Sequence, residues 1–508
     1  MTGRLLVAGT SSDAGKSLLT AGICRWLARR GVKVAPFKAQ NMSNNSVALL
    51  DGGEIGRAQA IQAMACGVEP EAAMNPVLLK PGSDRVSHVV LLGRPHLRCT
   101  AVSYRRLHTT LREVALAAFD DLANRFDVVI CEGAGSPAEI NLRAGDIANM
   151  GLADARDVPT VLVGDIDRGG VFASFFGSVA LLSARDQSLI AGFVVNKFRG
   201  EHALLEPGLA MIHRLTGRPA LGVLPWLPDV AFDAEDSLGL WQETASGGPA
   251  LGRHTLRIAA VALPRVSNST DVDAFAQEPG VLVRWTTSPA EVAEADLAIL
   301  PGTRATVDDL RWLHERGLAD AIADRAAGGR PVLGICGGFQ MLARRIDDAV
   351  ESRSGPVAGL GLLPVDVTFA GDKTVGRPTT TVYGRPVTTA YEIHHGVARI
   401  DDGATGFLGG ARAEAVWGTH WHGAFDSDAF RRAFLTEIAA AAGRDFVPAP
   451  DTDVTALRAM RLDRLGDAVA DHLDTSALLR LIQDGPPPNL PLLAPGAGDE
   501  QRLPKEGP

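Results

Sequence analysis

A lysine and a serine close to the start of the sequence stand in a pattern that suits phosphate binding. Residues 5–17 read LLVAGTSSDAGKS, an apolar run followed by a loop that ends in Gly15, Lys16 and Ser17. Phosphates bind to closely approaching backbone N–H groups at a helix start, with a cation and a hydroxyl for Mg²⁺ nearby. Five residues lie between Gly9 and Gly15 instead of the usual four, which indicates a variant phosphate loop. The alternative is a chance Gly-Lys-Ser sequence at a turn.

A carboxylate at the end of a second strand is expected to complete the Mg²⁺ site with Ser17. Residues 127–136 read DVVICEGAGS, an apolar strand that ends in Glu132 and continues into small residues. Glu132 is therefore the best candidate, and its alternative role is that of an acid at a surface strand end. Asn196 follows the predicted strand 190–195 and is a weaker candidate for reading the adenine edge through its side-chain amide.

A cysteine in the second half of the chain has the surroundings of a nucleophile. Residues 331–340 read PVLGICGGFQ, so a strand leads into Cys336, two glycines and a predicted helix. This is the pattern of a nucleophile elbow, in which the helix start lowers the pKa of a thiol and offers N–H groups to an oxyanion. The alternative for Cys336, judged by residue type alone, is an inert core cysteine, but packing does not require three glycines around it.

A thiol nucleophile needs a base, and histidines downstream offer candidates. Residues 413–426 read AEAVWGTHWHGAFD, and His420 and His422 share one face if this segment is a strand. His394 and His395 are further candidates, and any single histidine here is more often structural.

Two α/β domains are predicted to position these residues. Short apolar runs alternate with helical patterns, which is typical of a parallel sheet covered by helices. The pattern stops after Pro225, crosses a polar, glycine-rich stretch and starts again at Arg257. We predict these segments: a nucleotide-binding domain at 1–240, a linker at 241–254, a second domain at 255–445, a helical segment at 446–484 and a disordered tail at 485–508.

Composition narrows the function further. The 508 residues are 46% apolar and 21% charged, with a net charge of -9. That charge argues against a protein that coats nucleic acid or a membrane surface, although an anionic small substrate needs only a local basic pocket. Five scattered cysteines without a Cys-x-x-Cys pair predict reduced thiols and a cytoplasmic location. The longest uncharged run, 169–184, is too short to span a membrane.

The first half of the chain resembles the dethiobiotin-synthetase-like ATPases, whose phosphate loop also carries the extra residue. This resemblance implies ATP and Mg²⁺ as cofactors. It implies that Glu132 helps to hold magnesium, that Lys38 faces the substrate, and that Asn196 belongs to the ATP site. It assigns ATP binding to Thr10, Ser11, Ser12, Asp13, Ala14, Gly15, Lys16 and Ser17.

The second half is similar to class I glutamine amidotransferase domains, which implies a flavodoxin-like fold. Their oxyanion region corresponds to Leu300-Pro301-Gly302-Thr303, which implies Gly302 and Gly337 as oxyanion donors, and their nucleophile corresponds to Cys336. The segment His-Gly-x-Phe-Asp places the catalytic histidine at His422. Most members carry Pro-Glu after that histidine, whereas this sequence has Gly423 and Ala424, so the third triad member has no assignment from the sequence.

An ATPase that activates carboxylates and a glutaminase on one chain predict a single chemistry. ATP phosphorylates a carboxylate, glutamine supplies ammonia, and ammonia displaces phosphate to leave an amide. The polar loop PFKAQNMSNNS at 36–46 is a poor core segment and a good hydrogen-bonding loop, or simply a solvated turn. Its candidates for binding the substrate are Gln40, Asn41 and Asn44.

Longer motifs narrow the substrate through a further resemblance. The polar loop, EIGRAQA at 54–60, NPVLLKP at 75–81, VGDIDRGG at 163–170 and YEIH at 391–394 closely resemble the glutamine-hydrolysing cobyric acid synthases. That family amidates the b, d, e and g carboxylates of adenosylcobyrinic acid a,c-diamide to give adenosylcobyric acid in cobalamin biosynthesis. The resemblance implies glutamine and a corrinoid polycarboxylate as partners, with no nucleic acid and no membrane.

Two rival hypotheses remain open at this level. The a,c-diamide-forming synthases combine the same two domains but differ in the segment that aligns with residues 40–45. A P-loop switch ATPase that binds a partner protein or DNA belongs to another class, and the negative charge and the Cys336 elbow argue against it.

Overall fold

The first domain is built on a sheet with the phosphate loop at the carboxyl ends of its strands. The structure is a computed structural model that describes residues 2–83, 86–230 and 245–493. Its strands up to residue 230 are β1 (Gly3–Gly9), β2 (Val34–Phe37), β3 (Gln40–Met42), β4 (Ser46–Ala48), β5 (Glu54–Gly56), β6 (Val77–Ser83), β7 (Val86–Leu91), β8 (Arg94–Cys99), β9 (Val128–Glu132), β10 (Thr160–Asp165), β11 (Ile190–Phe198) and β12 (Ala220–Pro225). Its helices are α1 (Lys16–Arg29), α2 (Arg57–Cys66), α3 (Ala101–Arg125), α4 (Met150–Arg156), α5 (Val171–Ala180), α6 (Ala184–Leu189) and α7 (His202–Thr216).

Six of these strands form a parallel sheet with the order β12-β11-β10-β1-β9-β2. The central strands are continuous apolar runs because helices cover both faces; in β1, for example, Leu5 to Ala8 are fully buried. Carboxyl ends of parallel strands meet at one edge of the sheet, where ligands bind in such folds. The sheet therefore brings the ends of β1, β2 and β9 together.

Six short strands lie between β2 and α3 in the sequence and form a second set of sheets. Strands β3, β6, β7 and β8 form a four-stranded sheet, and β4 pairs with β5 as a hairpin. These strands contain the polar loop, and the chain that leaves β2 at Phe37 enters them directly. The residues after Lys38 are therefore held by an ordered sheet and hairpin.

The second domain has a larger sheet with parallel strands at its centre. Its strands are β13 (Ala245–Ser246), β14 (Leu256–Val261), β15 (Val281–Thr286), β16 (Leu297–Leu300), β17 (Val332–Ile335), β18 (Arg345–Asp348), β19 (Gly355–Ala358), β20 (Val365–Gly376), β21 (Thr380–Val382), β22 (Arg385–Val387), β23 (Tyr391–Ile400), β24 (Thr405–Phe407), β25 (Gly410–Ala413), β26 (Val416–Thr419) and β27 (Trp421–His422). Its helices are α8 (Thr270–Ala276), α9 (Pro289–Glu294), α10 (Thr306–Glu315), α11 (Leu318–Ala327), α12 (Gly337–Leu342) and α13 (Asp428–Ala441).

Eight strands lie in the order β13-β15-β14-β16-β17-β26-β25-β24, with antiparallel pairs at both edges. A smaller sheet, β19-β18-β20-β23-β27, packs beside it and is mostly antiparallel. The prediction of two mostly parallel α/β domains is confirmed by the two central sheets, while the smaller sheet and the edge strands were not predicted.

The C-terminal helices return to the first domain. Helices α14 (Val454–His472) and α15 (Thr475–Asp484) bury Leu465, Val469 and Ile482 in the same apolar cluster as residues of β1 and α1. Two ion pairs join α1 to α14 at the surface, Arg25–Asp463 at 2.9 Å and Arg29–Asp467 at 2.6 Å. The segment predicted as a separate helical element thus completes the core of the nucleotide-binding domain.

Part of the predicted disordered tail is also packed against this domain. The backbone of Leu493 exchanges hydrogen bonds of 2.9 and 3.2 Å with the Gln187 side chain, and Arg218 donates to the Pro491 carbonyl at 3.0 Å. Residues 491 and 493 of the predicted tail therefore contact this domain, while 494–508 lie outside the described residues, where disorder stays a prediction. Residues 241–244 of the predicted linker also lie outside them, and the domain limits stay predictions. No helix in the described part of the chain is long and apolar enough to cross a membrane.

Candidate active sites

The phosphate loop joins β1 to α1 and is shaped by its last glycine. Gly15 precedes the helix with a φ of 97°, in the left-handed region that favours glycine. A Cβ there would lie 2.0 Å from Nδ2 of Asn196, which itself donates to the Ala14 carbonyl at 2.9 Å. The structure therefore places Asn196, predicted to read adenine, against the phosphate loop itself.

The remaining loop residues present one polar and exposed surface. Thr10 begins the loop with its N–H donated to the Val163 carbonyl of β10 at 2.9 Å, and Lys16 Nζ donates to the Ser11 carbonyl at 2.9 Å. Three side chains face solvent, namely those of Ser11, Ser12 and Asp13. A buried lysine at a helix start beneath an exposed loop is the arrangement that a phosphate chain requires.

Glu132, at the end of β9, accepts hydrogen bonds from two other predicted residues, Ser17 and Lys38. It is fully buried, and its Oε1 accepts hydrogen bonds from Ser17 Oγ at 2.8 Å and Lys38 Nζ at 2.7 Å. Its other oxygen accepts from Gln62 Nε2 of α2. The sequence did not reveal Gln62, whose only signal is its place three residues after Gln59 on the same face of a helix.

The donors present fit Mg²⁺ bound together with a nucleotide. Among the described residues, no group of three or more His, Cys, Asp or Glu side chains forms a metal cage. Mg²⁺ in nucleotide sites is commonly held by one hydroxyl or carboxylate, phosphate oxygens and water. Ser17 and Glu132 would supply the protein ligands, and Lys16 and Lys38 would offset the phosphate charge.

The polar loop does not place its three predicted substrate ligands together. Gln40 accepts a hydrogen bond from the Tyr104 hydroxyl, and the buried Asn41 donates to Gln59 Oε1 at 3.0 Å. Asn44 instead lines a pocket that also contains Cys336 of the second domain. The loop therefore runs from the phosphate site to the second site.

Cys336 sits on a sharp turn between β17 and α12. Its φ of 50° and ψ of -107° are strained for a residue with a side chain, and its N–H donates to the Thr419 carbonyl at 2.7 Å. A Cβ on Gly337 would lie 2.6 Å from Thr303 Cγ2, and one on Gly338 only 2.0 Å from a backbone oxygen. The glycines thus let the loop that contains Gly302 pack closely against the Cys336 turn. Both predicted oxyanion residues, Gly302 and Gly337, lie at this contact.

Asp271 supplies the third member that the sequence left unassigned. His422 lies on β27, and its Nδ1 is 2.6 Å from Asp271 Oδ2, with both side chains buried. The other oxygen of Asp271 accepts the Gly423 N–H at 2.7 Å, which fixes the carboxylate. The Cys336 sulfur lies within hydrogen-bonding reach of the same imidazole. Cys336, His422 and Asp271 therefore form the chain of contacts expected of a thiol, a base and an orienting acid.

The charge of His422 is set by its two partners. Burial lowers its pKa, but the charges of Asp271 and Cys336 and hydrogen bonds to both raise the pKa of His422 to about 10. An imidazolium in this position can donate a proton to a departing group.

His420 faces away from this triad. It is buried, it stacks on His394 with ring centroids 4.0 Å apart, and it lies 3.5 Å from the Gln340 amide. Burial and the neighbouring His394 lower the pKa of His420 well below its ordinary value. Its surroundings are those of a neutral core histidine.

The pocket at Cys336 is lined by both domains. Asn44, Ser46 and Lys80 come from the first domain, and Cys336, His422 and Arg304 are among the residues from the second. The Ser46 N–H donates to Asn268 Oδ1 at 3.0 Å, and the Asn268 N–H donates to Asn45 Oδ1 at 2.7 Å. Because Asn268 precedes the helix that carries Asp271, the polar loop is hydrogen-bonded to the segment whose carboxylate contacts His422.

A buried ion cluster reinforces this junction. Glu54 Oε2 accepts from Lys80 Nζ at 2.5 Å and from Ser46 Oγ at 3.0 Å, while Lys373 of β20 pairs with its other oxygen. Burial raises the pKa of Glu54, but Lys373 and Lys80 hold it well below the ordinary range. The carboxylate is thus ionised between two lysine side chains, one from each domain, and burial lowers the pKa of Lys80 to about 7.

Comparison with known proteins finds relatives of both domains. Residues 5–240 match the family described as CobQ/CobB/MinD/ParA nucleotide binding domain, and residues 257–430 match the CobB/CobQ-like glutamine amidotransferase domain. A cobyric acid synthase of Streptomyces coelicolor is 60% identical, over 98% of this chain and 100% of that protein. The chain belongs to the cobyric acid synthase family. Others from Saccharopolyspora erythraea and Mycolicibacterium paratuberculosis are 58% and 59% identical, over 98% and 96% of this chain and 98% of each relative.

Membership of the cobyric acid synthase family confirms the predicted enzyme class. The chain is a glutamine-hydrolysing amide synthase of cobalamin biosynthesis, with a nucleotide-binding domain followed by an amidotransferase domain. The amidotransferase match and the named relatives set aside the hypothesis of a switch ATPase, while the identity of the amidated carboxylates stays a prediction. The roles of individual residues rest on the geometry given above.

Proposed function

We propose that the chain amidates the b, d, e and g carboxylates of adenosylcobyrinic acid a,c-diamide, with ATP and glutamine as co-substrates and Mg²⁺ bound with the nucleotide. The observation that carries this proposal is the polar loop, which begins at the Lys38–Glu132 pair and ends in the Cys336 pocket. One short segment of chain thus contacts both candidate sites.

The second domain releases ammonia from glutamine. The Cys336 thiolate attacks the carboxamide carbon, and the oxyanion that forms lies toward the Gly302 and Gly337 backbone. His422, held by Asp271, gives its proton to the departing nitrogen, and ammonia leaves. Water then hydrolyses the thioester to glutamate, with His422 as the base.

The first domain activates the acceptor carboxylate. A carboxylate oxygen attacks the γ-phosphorus of ATP, ADP leaves, and an acyl phosphate results. Lys16 at the start of α1 and Lys38 beside Glu132 are placed to neutralise charge that develops on the phosphoryl oxygens. Mg²⁺ held by Ser17 and Glu132 supplies further charge neutralisation when bound. Ammonia then attacks the acyl carbon, and phosphate departs as the amide forms.

The test is to supply nitrogen in two forms and to weigh the corrinoid products. Cys336→Ser should lose amidation with glutamine by orders of magnitude and retain it with high ammonium at mildly alkaline pH. Lys16→Ala should lose amidation with either nitrogen source, because the acyl phosphate cannot form. Mass spectrometry counts carboxylates converted to amides, and four conversions are expected from the a,c-diamide. Full amidation by Lys16→Ala, or no conversion of the a,c-diamide by the parent enzyme with either nitrogen source, would refute the proposal.

A further inference from the structure

An ion pair that the triad does not use lines the Cys336 pocket. Arg304 follows the loop of Gly302 and Thr303, and its Nη1 lies 2.5 Å from Glu351 Oε1, with both side chains 11% exposed. Burial lowers the pKa of Arg304, but Glu351, Glu54 and Cys336 raise it by more than burial lowers it. The guanidinium therefore stays charged. Its interaction with Cys336 also shows that the two lie within electrostatic range of each other. A charge pair buried this deeply is weak support for stability, which favours a role in binding.

Two polar atoms in the same pocket have no hydrogen-bond partner. Nε of Arg304 is a buried donor without an acceptor, and Oδ1 of Asn44 is a buried acceptor without a donor. Buried polar atoms in folded proteins are nearly always paired, so each such exception needs a reason. A guest that brings one acceptor and one donor would satisfy both.

The size of the pocket says how such a guest must enter. Its enclosed volume is about 20 Å³, which is roughly the room of one water molecule. An amino acid does not fit this volume, so the pocket must widen to bind one, and separating the Arg304–Glu351 pair would leave two charges that each need a new partner. A zwitterion supplies both partners at once.

The loop that carries Glu351 is fixed by hydrogen bonds to its backbone. The carboxylate of Asp348 accepts the N–H groups of Val350, Glu351 and Ser352 at 3.0, 2.7 and 2.7 Å. The backbone that carries Glu351 is thus fixed, and its side chain is the part able to exchange partners.

We propose that Arg304 binds the α-carboxylate of glutamine and that Glu351 and Asn44 bind its α-ammonium, which directs the side-chain amide to Cys336. This assignment rests on the glutaminase chemistry of the proposed function. It makes the glutamine site a joint product of both domains, because Asn44 belongs to the loop that starts at Lys38. Glutamine is then bound tightly only when that loop is in place.

The test compares glutamine with two analogues, each lacking one charged group. Glutaramate lacks the α-ammonium, and γ-aminobutyramide lacks the α-carboxylate. In Arg304→Gln, the KM for glutamine should rise at least ~10-fold, and the preference for glutamine over γ-aminobutyramide should largely disappear. In Glu351→Gln, the preference over glutaramate should disappear instead, and Asn44→Ala should show the same change more weakly.

The controls separate this proposal from the proposed function. Arg311→Gln removes an exposed arginine that pairs with Asp308 at 2.7 Å, and it should leave every preference unchanged. Ammonia-dependent amidation should survive in all variants, and its absence in the parent enzyme would count against the proposed function alone. Arg304→Lys, which keeps a charge without Nε, guards against misfolding and should retain part of the preference. Unchanged preferences in folded Arg304→Gln and Glu351→Gln would overturn the assignment and leave a structural ion pair.

Discussion

Replacing Asp271 by asparagine is expected to cost about 100-fold in glutamine hydrolysis. The pKa of His422 is raised from 6.5 to about 10, which at 1.36 kcal/mol per pKa unit is roughly 5 kcal/mol in favour of the imidazolium. Asp271 and Cys336 both raise this pKa by charge and hydrogen bond against the lowering effect of burial, so removing the Asp271 charge should cancel a substantial part of the net shift, and the expected 100-fold loss corresponds to about 2.7 kcal/mol of it. Asparagine keeps the shape and can still accept the Gly423 N–H, but it lacks the charge and presents an amide to Nδ1.

The assay is glutamate release at saturating and at low glutamine, with ammonia-dependent amidation measured in parallel. kcat/KM for glutamine should fall while amidation from ammonium stays at the parent level. The raised pKa keeps the proton on His422 up to alkaline pH, so the alkaline limit of hydrolysis should move to lower pH in the variant. Asp320→Asn, an exposed aspartate of the same domain, is the matched control. A variant within about threefold of the parent, or one with an unchanged alkaline limit, would refute Asp271 as the orienting acid.

Three further changes test other parts of the structure. His420→Ala should reduce glutamine hydrolysis much less than His422→Ala, since His420 stacks on His394 and is not among the residues that line the Cys336 pocket; the reverse order in steady-state rates would move the base to His420. Lys373→Met should lower the free energy of unfolding by roughly 3 kcal/mol near neutral pH, because it leaves the buried Glu54 with one partner fewer. Folding holds the pKa of Glu54 below its ordinary 4.5, so this stability is present above that pH and the difference between parent and variant should shrink as urea titrations move to lower pH; a constant difference would contradict the pairing. Deleting 494–508 should leave the melting temperature unchanged, whereas deleting 485–508 should lower it by a few degrees because Leu493 is buried; equal melting temperatures would show that the packed segment contributes nothing.

The residues that sequence reasoning located are those whose signal is local. The phosphate loop, Glu132 and Cys336 each stand at the end of an apolar strand beside glycines, and strand ends of a parallel sheet meet at one edge. His422 was located through a resemblance in the residues around it. For these positions, a few neighbouring residues contain enough information to place the side chain.

The residues that were missed depend on contacts between distant segments. Asp271 meets His422 across 151 residues, and acids in the first turn of a helix are too common to single one out. Asn44 was grouped with Gln40 and Asn41 by composition, but the β4–β5 hairpin directs it to the other domain. The tail composition predicted disorder, while one leucine and the carbonyls of 491 and 493 suffice to dock it. Composition describes a segment alone and says nothing of the partner that covers it.

The return of α14 and α15 to the first domain has a consequence for biosynthesis of the chain. A ribosome releases the polypeptide from its amino end, so the apolar face of β1 and α1 stays uncovered until the last helices emerge. The strands of the amidotransferase domain are all synthesised before α14 and α15. That domain can therefore fold while the nucleotide-binding domain still lacks these two helices. The same topology permits a circular permutant: Ile482 of α15 lies directly against Gly3 of β1, so a short linker could join the C-terminal helices to the front of the chain. In that permutant the nucleotide-binding domain would be continuous in sequence and could complete its fold during synthesis.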